Sequence, residues 1–300
     1  SRSRGTGSWN GYRQGSNRDG SKLDVAAELR TPRTVSGGPY DALIITEQHT
    51  LLGSLVWNDT IGHLRHFHDR AIAGNPGQTT YLYQSWLGID DRDDPQRWIA
   101  YEKAAATAWR CVAMRINVSL AAAGRPDRIV PIDAGAALAT FVEQAIAGQV
   151  TGFVGPPRVV IDRLFQDDVH LTPLGTYFVA LFVFAELSGT PPTGAWAPAG
   201  LNPAQARALQ VAAWAIHRER ASAPQSRSLA ACRDYVGGPF SQHYLAYLRD
   251  KQVREDGRTR AYITWLKHRV ALARVFGRRD AGNPLFFDAT ADSNYSLSDA

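Results

Sequence analysis

The chain has 300 residues, with 33 Lys plus Arg against 28 Asp plus Glu and a formal net charge of +5. With 44% hydrophobic and 20% charged residues it is neither disordered nor membrane-embedded in composition, and it is long enough to bury a large core. Basic residues are interspersed with acidic ones and accompany no nucleic-acid-binding motif, so no nucleic-acid partner is expected.

Residues 1–39 are rich in Gly, Ser, Arg and Asn and read as a surface loop. The turns around Ser8 and Ser16 are not read as nucleophile elbows, because no buried strand precedes them. Residues 41–46, Asp-Ala-Leu-Ile-Ile-Thr, form a short continuous apolar run, the pattern of a strand buried on both faces. That run ends in Glu47-Gln48-His49-Thr50, and the carboxyl ends of parallel strands are where open α/β sheets bind ligands.

Asn58 or Asp59 is expected to cap a helix running to about Ala73, and residues 79–86 read as a second strand ending in Tyr83, Ser85 and Trp86. Apolar residues at three- and four-residue steps predict a long helix over 96–123. A third strand over 128–132 and a helix over 135–147 follow. Repeated strand and helix units of this length imply a mostly parallel sheet covered by helices.

His63, His66 and His68 do not share one helix face, and the Asp90-to-Asp94 run lacks the Gly and Glu of a calcium loop, so no metal is expected. Cys111 and Cys232 lie far apart, fit no metal or redox spacing and sit in helical patterns, which reads as two buried thiols.

Residues 167–177, Asp-Asp-Val-His-Leu-Thr-Pro-Leu-Gly-Thr-Tyr, place an imidazole three residues after a carboxylate, just before a Thr-Pro helix start. A serine nucleophile needs a neighbouring imidazole to take its proton, and a carboxylate on the other ring nitrogen fixes the tautomer. His170 is therefore a candidate general base and Asp167 its orienting group. The helix that follows is apolar from Tyr177 to Leu187, too short to span a bilayer and read as covered on all sides, so no membrane insertion is expected. A Gly/Pro-rich break over 188–200 divides the chain into an α/β domain, 1–190, and a linker with a helical extension, 191–300, ending in a loose tail after Pro284.

The strand ending in Glu47-Gln48, the aromatic strand of Tyr81 to Trp86, the strand at 128–132 and then Asp167-x-x-His170-Leu171-Thr172-x-x-Gly175 together resemble the later blocks of an SGNH (GDSL-type) hydrolase over residues 41–187. The resemblance implies a three-layer α/β/α fold and ester hydrolysis through a serine nucleophile. Acyl-enzyme chemistry of that kind needs no cofactor. It implies that Asp167 and His170 supply the orienter and base, with an O-acylated substrate, an O-acetylated carbohydrate being within the family's range.

Gln48 stands where the family places an oxyanion-stabilising Asn, although Thr46-Glu47-Gln48-His49 departs from the family's Gly-x-Asn-Asp pattern. Glu47 and Trp86 are expected to line the substrate side. No apolar strand lies in residues 1–40, so the nucleophilic serine is expected upstream of this sequence, leaving the chain inactive alone. The alternatives are a serine near the carboxyl end, around Ser296 and Ser298, and a non-catalytic carbohydrate-binding relative using the same cleft.

Overall fold

The computed structural model describes residues 15–16, 22–23, 25–30, 34, 36–222 and 228–290. Most of the amino-terminal loop reading, including Ser8, and the carboxyl-terminal stretch with Ser296 and Ser298 lie outside them. Gly15–Ser16 pairs with Lys22–Leu23 in a two-residue antiparallel ladder, and helix α1, Val25–Arg30, follows.

Strand β1, Ala42–Thr46, leads into the short helix α2, Leu52–Trp57, and then α3, Thr60–Gly74. Asp59 caps α3 by accepting from the Gly62 N–H at 3.2 Å. Next come β2, Thr79–Tyr83, the helix α4, Gln96–Ala122, and β3, Ile129–Ile132. Helices α5, Ala134–Ile146, α6, Pro157–Leu164, and α7, Pro173–Ser188, complete the α/β part. The periodicity signal for α2 and α6 is weak because they hold only 6 and 8 residues.

The three strands form an open parallel sheet in the order β1-β2-β3. Paired residues of neighbouring strands share a face, so Leu43, Thr80 and Ile129 line one side and Ile44, Tyr81 and Val130 the other. The outer edge of β3 is plugged by α4, where the Asn117 amide donates to the Ile129 carbonyl at 2.9 Å and accepts from its N–H at 2.8 Å. Pro131, which has no N–H to donate, fits this edge position.

The expectation that residues 41–46 are buried on both faces is not met. β1 is an edge strand with no partner on its outer side among the described residues, and Ile44 is 46% exposed. A run of apolar β-branched residues reports strand propensity, whereas burial depends on what packs against it.

Helix α7 also departs from expectation. Its inner face, including Phe178 and Phe182, is buried, but Phe184 is 48% exposed and lines an open groove with Trp196. Uniform apolarity there does not mean uniform cover.

Four more helices follow, namely α8, Pro203–Ser222, α9, Leu229–Tyr235, α10, Ser241–Asp256, and α11, Arg258–Phe276, with a π turn at Val236–Phe240 joining α9 to α10. Helix α8 packs on α5 and α7, and Leu209, Ala213, Ile216 and Phe240 belong to the same buried cluster as the α/β part. Cys111 and Cys232 form a disulfide that ties α4 to α9, correcting the reading of two free thiols. Two cysteines 121 residues apart carry no local signal of pairing; the packing of α9 on α4 brings their Cα atoms to 5.4 Å.

The chain just after Pro284 is not loose. Leu285 is buried, and the Phe286 carbonyl accepts from Arg115 Nε at 2.7 Å. Among the described residues, no helix is long and apolar enough to cross a membrane.

Candidate functional site

The segment between α6 and α7 is a tight hairpin closed by a bridge between Phe165 and Leu171 and by the Gln166 N–H donating to the His170 carbonyl at 2.8 Å. Phe165 is buried, with its ring edge-on to Trp98, which anchors the base of the hairpin. At its tip the carboxylate of Asp167 organises the turn. One oxygen accepts from the backbone N–H groups of His170 at 2.7 Å and Val169 at 2.9 Å, and the other from His170 Nδ1 at 2.7 Å.

An ionised carboxylate only accepts, so the proton sits on Nδ1 and the Nε2 lone pair is left for chemistry. Among the described residues Nε2 has no hydrogen-bond partner, and the His170 side chain is 77% exposed. The His170 N–H, its imidazole and the Val169 N–H together hold the Asp167 carboxyl well below the usual carboxylate range.

The rest of the motif has mechanical roles. Thr172 caps α7, accepting from the Gly175 N–H at 3.2 Å and donating to the Arg163 carbonyl at 2.7 Å, and Pro173 occupies the first helical turn. Gly175 is required by close approach, because a Cβ there would lie 2.3 Å from the Leu164 carbonyl oxygen. The spacing from Asp167 to Gly175 thus sets both the imidazole and the start of the helix behind it.

The exit of β2 holds this hairpin from the other side. Trp86 Nε1 donates to the Val169 carbonyl at 2.9 Å, and the Ile89 N–H donates to the Asp168 carbonyl at 2.8 Å. Ser85, which the sequence placed at a strand end but not among the site residues, donates to the Glu47 carbonyl at 3.4 Å. The chain of contacts from Glu47 through Ser85 and Trp86 to Val169 therefore joins the ends of β1 and β2 to the hairpin carrying Asp167 and His170.

Glu47 faces inward along the chain, accepting from the Gln48 N–H at 2.7 Å and the Thr60 hydroxyl at 2.9 Å. Gln48 is exposed at the β1 exit. Trp86 thus touches the hairpin, Glu47 ties the β1 exit to Thr60 of α3, and among the described residues no hydrogen bond joins the Gln48 side chain to the His170 loop.

Helix α10 also reaches this region. The charge of Lys251 adds to burial in pushing the His49 imidazole downward, and a Cβ on Gly53 would meet the Tyr244 hydroxyl at 3.1 Å. Beneath the exit of β2, Glu102 is wholly enclosed, accepting from the Leu87 N–H at 2.7 Å and the Gln84 amide at 3.1 Å. Burial outweighs these donors and pushes its carboxyl up to about 8. Gly135 passes so close that a Cβ there would lie 2.7 Å from Glu102 Oε2.

A hydroxyl–imidazole–carboxylate chain exists elsewhere. His68 accepts from the Thr80 hydroxyl at 2.8 Å through Nδ1 and donates from Nε2 to Asp127 at 2.6 Å. Both His68 and Thr80 are buried, so substrate has no access, and the chain serves to fasten α3 to β2 and to the loop before β3. Burial pushes the imidazole of His68 down despite its carboxylate neighbour.

Among the described residues, no group of three or more His, Cys, Asp or Glu is placed to hold a metal ion. The acidic 90–94 segment is instead tied to arginines, Asp93 to Arg158 at 2.5 Å and Asp90 to Arg254 at 2.9 Å. No family model, curated protein or solved structure matches this chain.

Proposed function

We propose that the Asp167–His170 hairpin is the acid–base half of a serine-type ester hydrolase with an SGNH-like three-layer fold, acting on an O-acylated substrate such as an O-acetylated carbohydrate. The observation that carries this reading is the 2.7 Å contact of His170 Nδ1 with Asp167, which leaves Nε2 open to solvent beside the strand exits. In that arrangement Nε2 takes the proton of a serine hydroxyl as it attacks the ester carbonyl. It then returns the proton to the leaving alcohol, while Asp167 holds the tautomer and stabilises the imidazolium.

Two further features support it. An open groove of about 510 Å³, lined by Leu171, Pro173, Tyr177, Phe184 and Trp196, begins at the foot of the hairpin and suits an acyl group. The outer edge of β1, without a partner strand among the described residues, also offers a place for a further parallel strand, whose carboxyl end would come beside Glu47 and Gln48. In this reading the nucleophilic serine arrives on such a strand.

The second reading, a non-catalytic carbohydrate-binding relative, is favoured by one observation: among the described residues no serine hydroxyl bonds to His170. The test is hydrolysis of p-nitrophenyl acetate by the purified protein, with labelling by a serine-reactive phosphonate. Turnover abolished by His170→Ala supports the hydrolase. Neither turnover nor adduct rejects it in favour of the binding protein.

A further inference from the structure

Helix α11 has 19 residues, of which only Ala261 and Leu272 are buried. Its packing within the described residues is mainly against α10. The outward side carries Tyr262, Ile263, Leu266 and Val270, each at least half exposed. At about 100° per residue these four fall within a stripe roughly 100° wide, opposite the buried pair.

The charges are arranged around that stripe. On the same projection Arg258 and Arg269 border one side, and Lys267, Arg274 and Arg260 border the other. No Asp or Glu occurs between residues 258 and 276. At the two ends of the helix, Arg260 lies 3.9 Å from Asp256 and Arg278 pairs with Asp280 at 2.9 Å, which leaves Arg258, Lys267, Arg269 and Arg274 as the cations flanking the stripe. Arg269 lies over the Trp265 ring, and Arg249 lies over that of Tyr262 while also donating to Asp250 at 2.7 Å.

We infer that α11 is an interfacial helix that lies on an anionic lipid surface. Long cationic side chains flanking an apolar stripe place their heads at the phosphate level while the stripe enters the acyl boundary. The charge pattern argues against a second copy as occupant, since two such helices would bring like charges together along both borders. An anionic polymer alone would leave the apolar stripe without a partner. The inference is independent of the ester-hydrolase reading.

The test is sedimentation of the purified protein with phosphatidylcholine vesicles, with and without phosphatidylglycerol. Binding is expected only to the anionic vesicles and weakens as salt rises. The double change Leu266→Ser/Val270→Ser should abolish it, and Lys267→Gln/Arg274→Gln should weaken it roughly twenty- to thirty-fold, about fivefold for each cation. These side chains are exposed, so thermal melting should be unchanged and a folding defect is separable from a binding defect.

The inference is overturned if the protein ignores anionic vesicles or binds neutral ones equally. Full binding by the Leu266→Ser/Val270→Ser variant also overturns it. So does concentration-dependent dimerisation that this variant abolishes, which would assign the stripe to a second copy.

Discussion

Removing the disulfide should cost much stability while leaving the Asp167–His170 hairpin untouched. The bond closes a loop spanning 121 residues of sequence between Cys111 on α4 and Cys232 on α9. In the chain-entropy treatment, releasing a loop of that length stabilises the unfolded state by about 5 kcal/mol at room temperature. Both cysteines are buried, so Cys111→Ala/Cys232→Ala adds a small packing loss to the entropic term. Against the typical 5–15 kcal/mol stability of a domain, the loss is a third or more of the total.

The assay is urea unfolding followed by tryptophan fluorescence, comparing the wild type with the double alanine variant and with wild type refolded under reductant. The variant and the reduced protein should share a lowered midpoint, with a slope steepened by the more expanded unfolded chain. Two free thiols titrated in unreduced, denatured wild type would refute the reasoning at its root. An unchanged midpoint in the variant would show that the native packing of α9 on α4, and not the crosslink, carries the stability.

Glu102 should make the protein lose stability as pH rises from 4.5 toward about 8, because its folded carboxyl keeps a proton that the unfolded one releases. The decline reaches at most about 1.4 kcal/mol per pH unit, and Glu102→Gln should flatten that slope in urea titrations at several pH values, whatever its effect on absolute stability. Gly175→Ala drives a Cβ against the Leu164 carbonyl and should destabilise by roughly 1–3 kcal/mol or more, read as a fall in melting temperature. If the hydrolase reading holds, Asp167→Asn should lower kcat by about 10³- to 10⁴-fold with little change in melting temperature, since Asp167 is exposed. Trp86→Phe removes the indole donor to the Val169 carbonyl and should loosen the hairpin, seen as faster amide exchange at Val169 and His170.

The α/β class was legible because the strands at 42–46, 79–83 and 129–132 are short β-rich runs separated by a long amphipathic helix and by clear Gly/Pro punctuation. Asp167 and His170 were legible as a pair because both lie on one turn, where three residues of separation place a carboxylate against its own backbone N–H groups and the imidazole. The contact of Trp86 with Val169 spans 83 residues, and that of Ser85 with Glu47 spans 38, so neither leaves a local trace. Gln48 was marked as a site residue by its place after a strand, whereas its distance from the imidazole depends on how the hairpin folds over the sheet.

What the sequence by itself determined is local: the helix and strand periods, the caps at Asp59 and Thr172, and the carboxylate–imidazole turn, all set by contacts within a few residues. Only the tertiary structure decided that β1 is an edge strand and that Phe184 and the outer stripe of α11 stay in solvent. It alone also decided that Cys111 meets Cys232. The physical reason is that hydrophobicity states a preference for burial, whereas actual burial depends on which distant surfaces the chain brings against each residue.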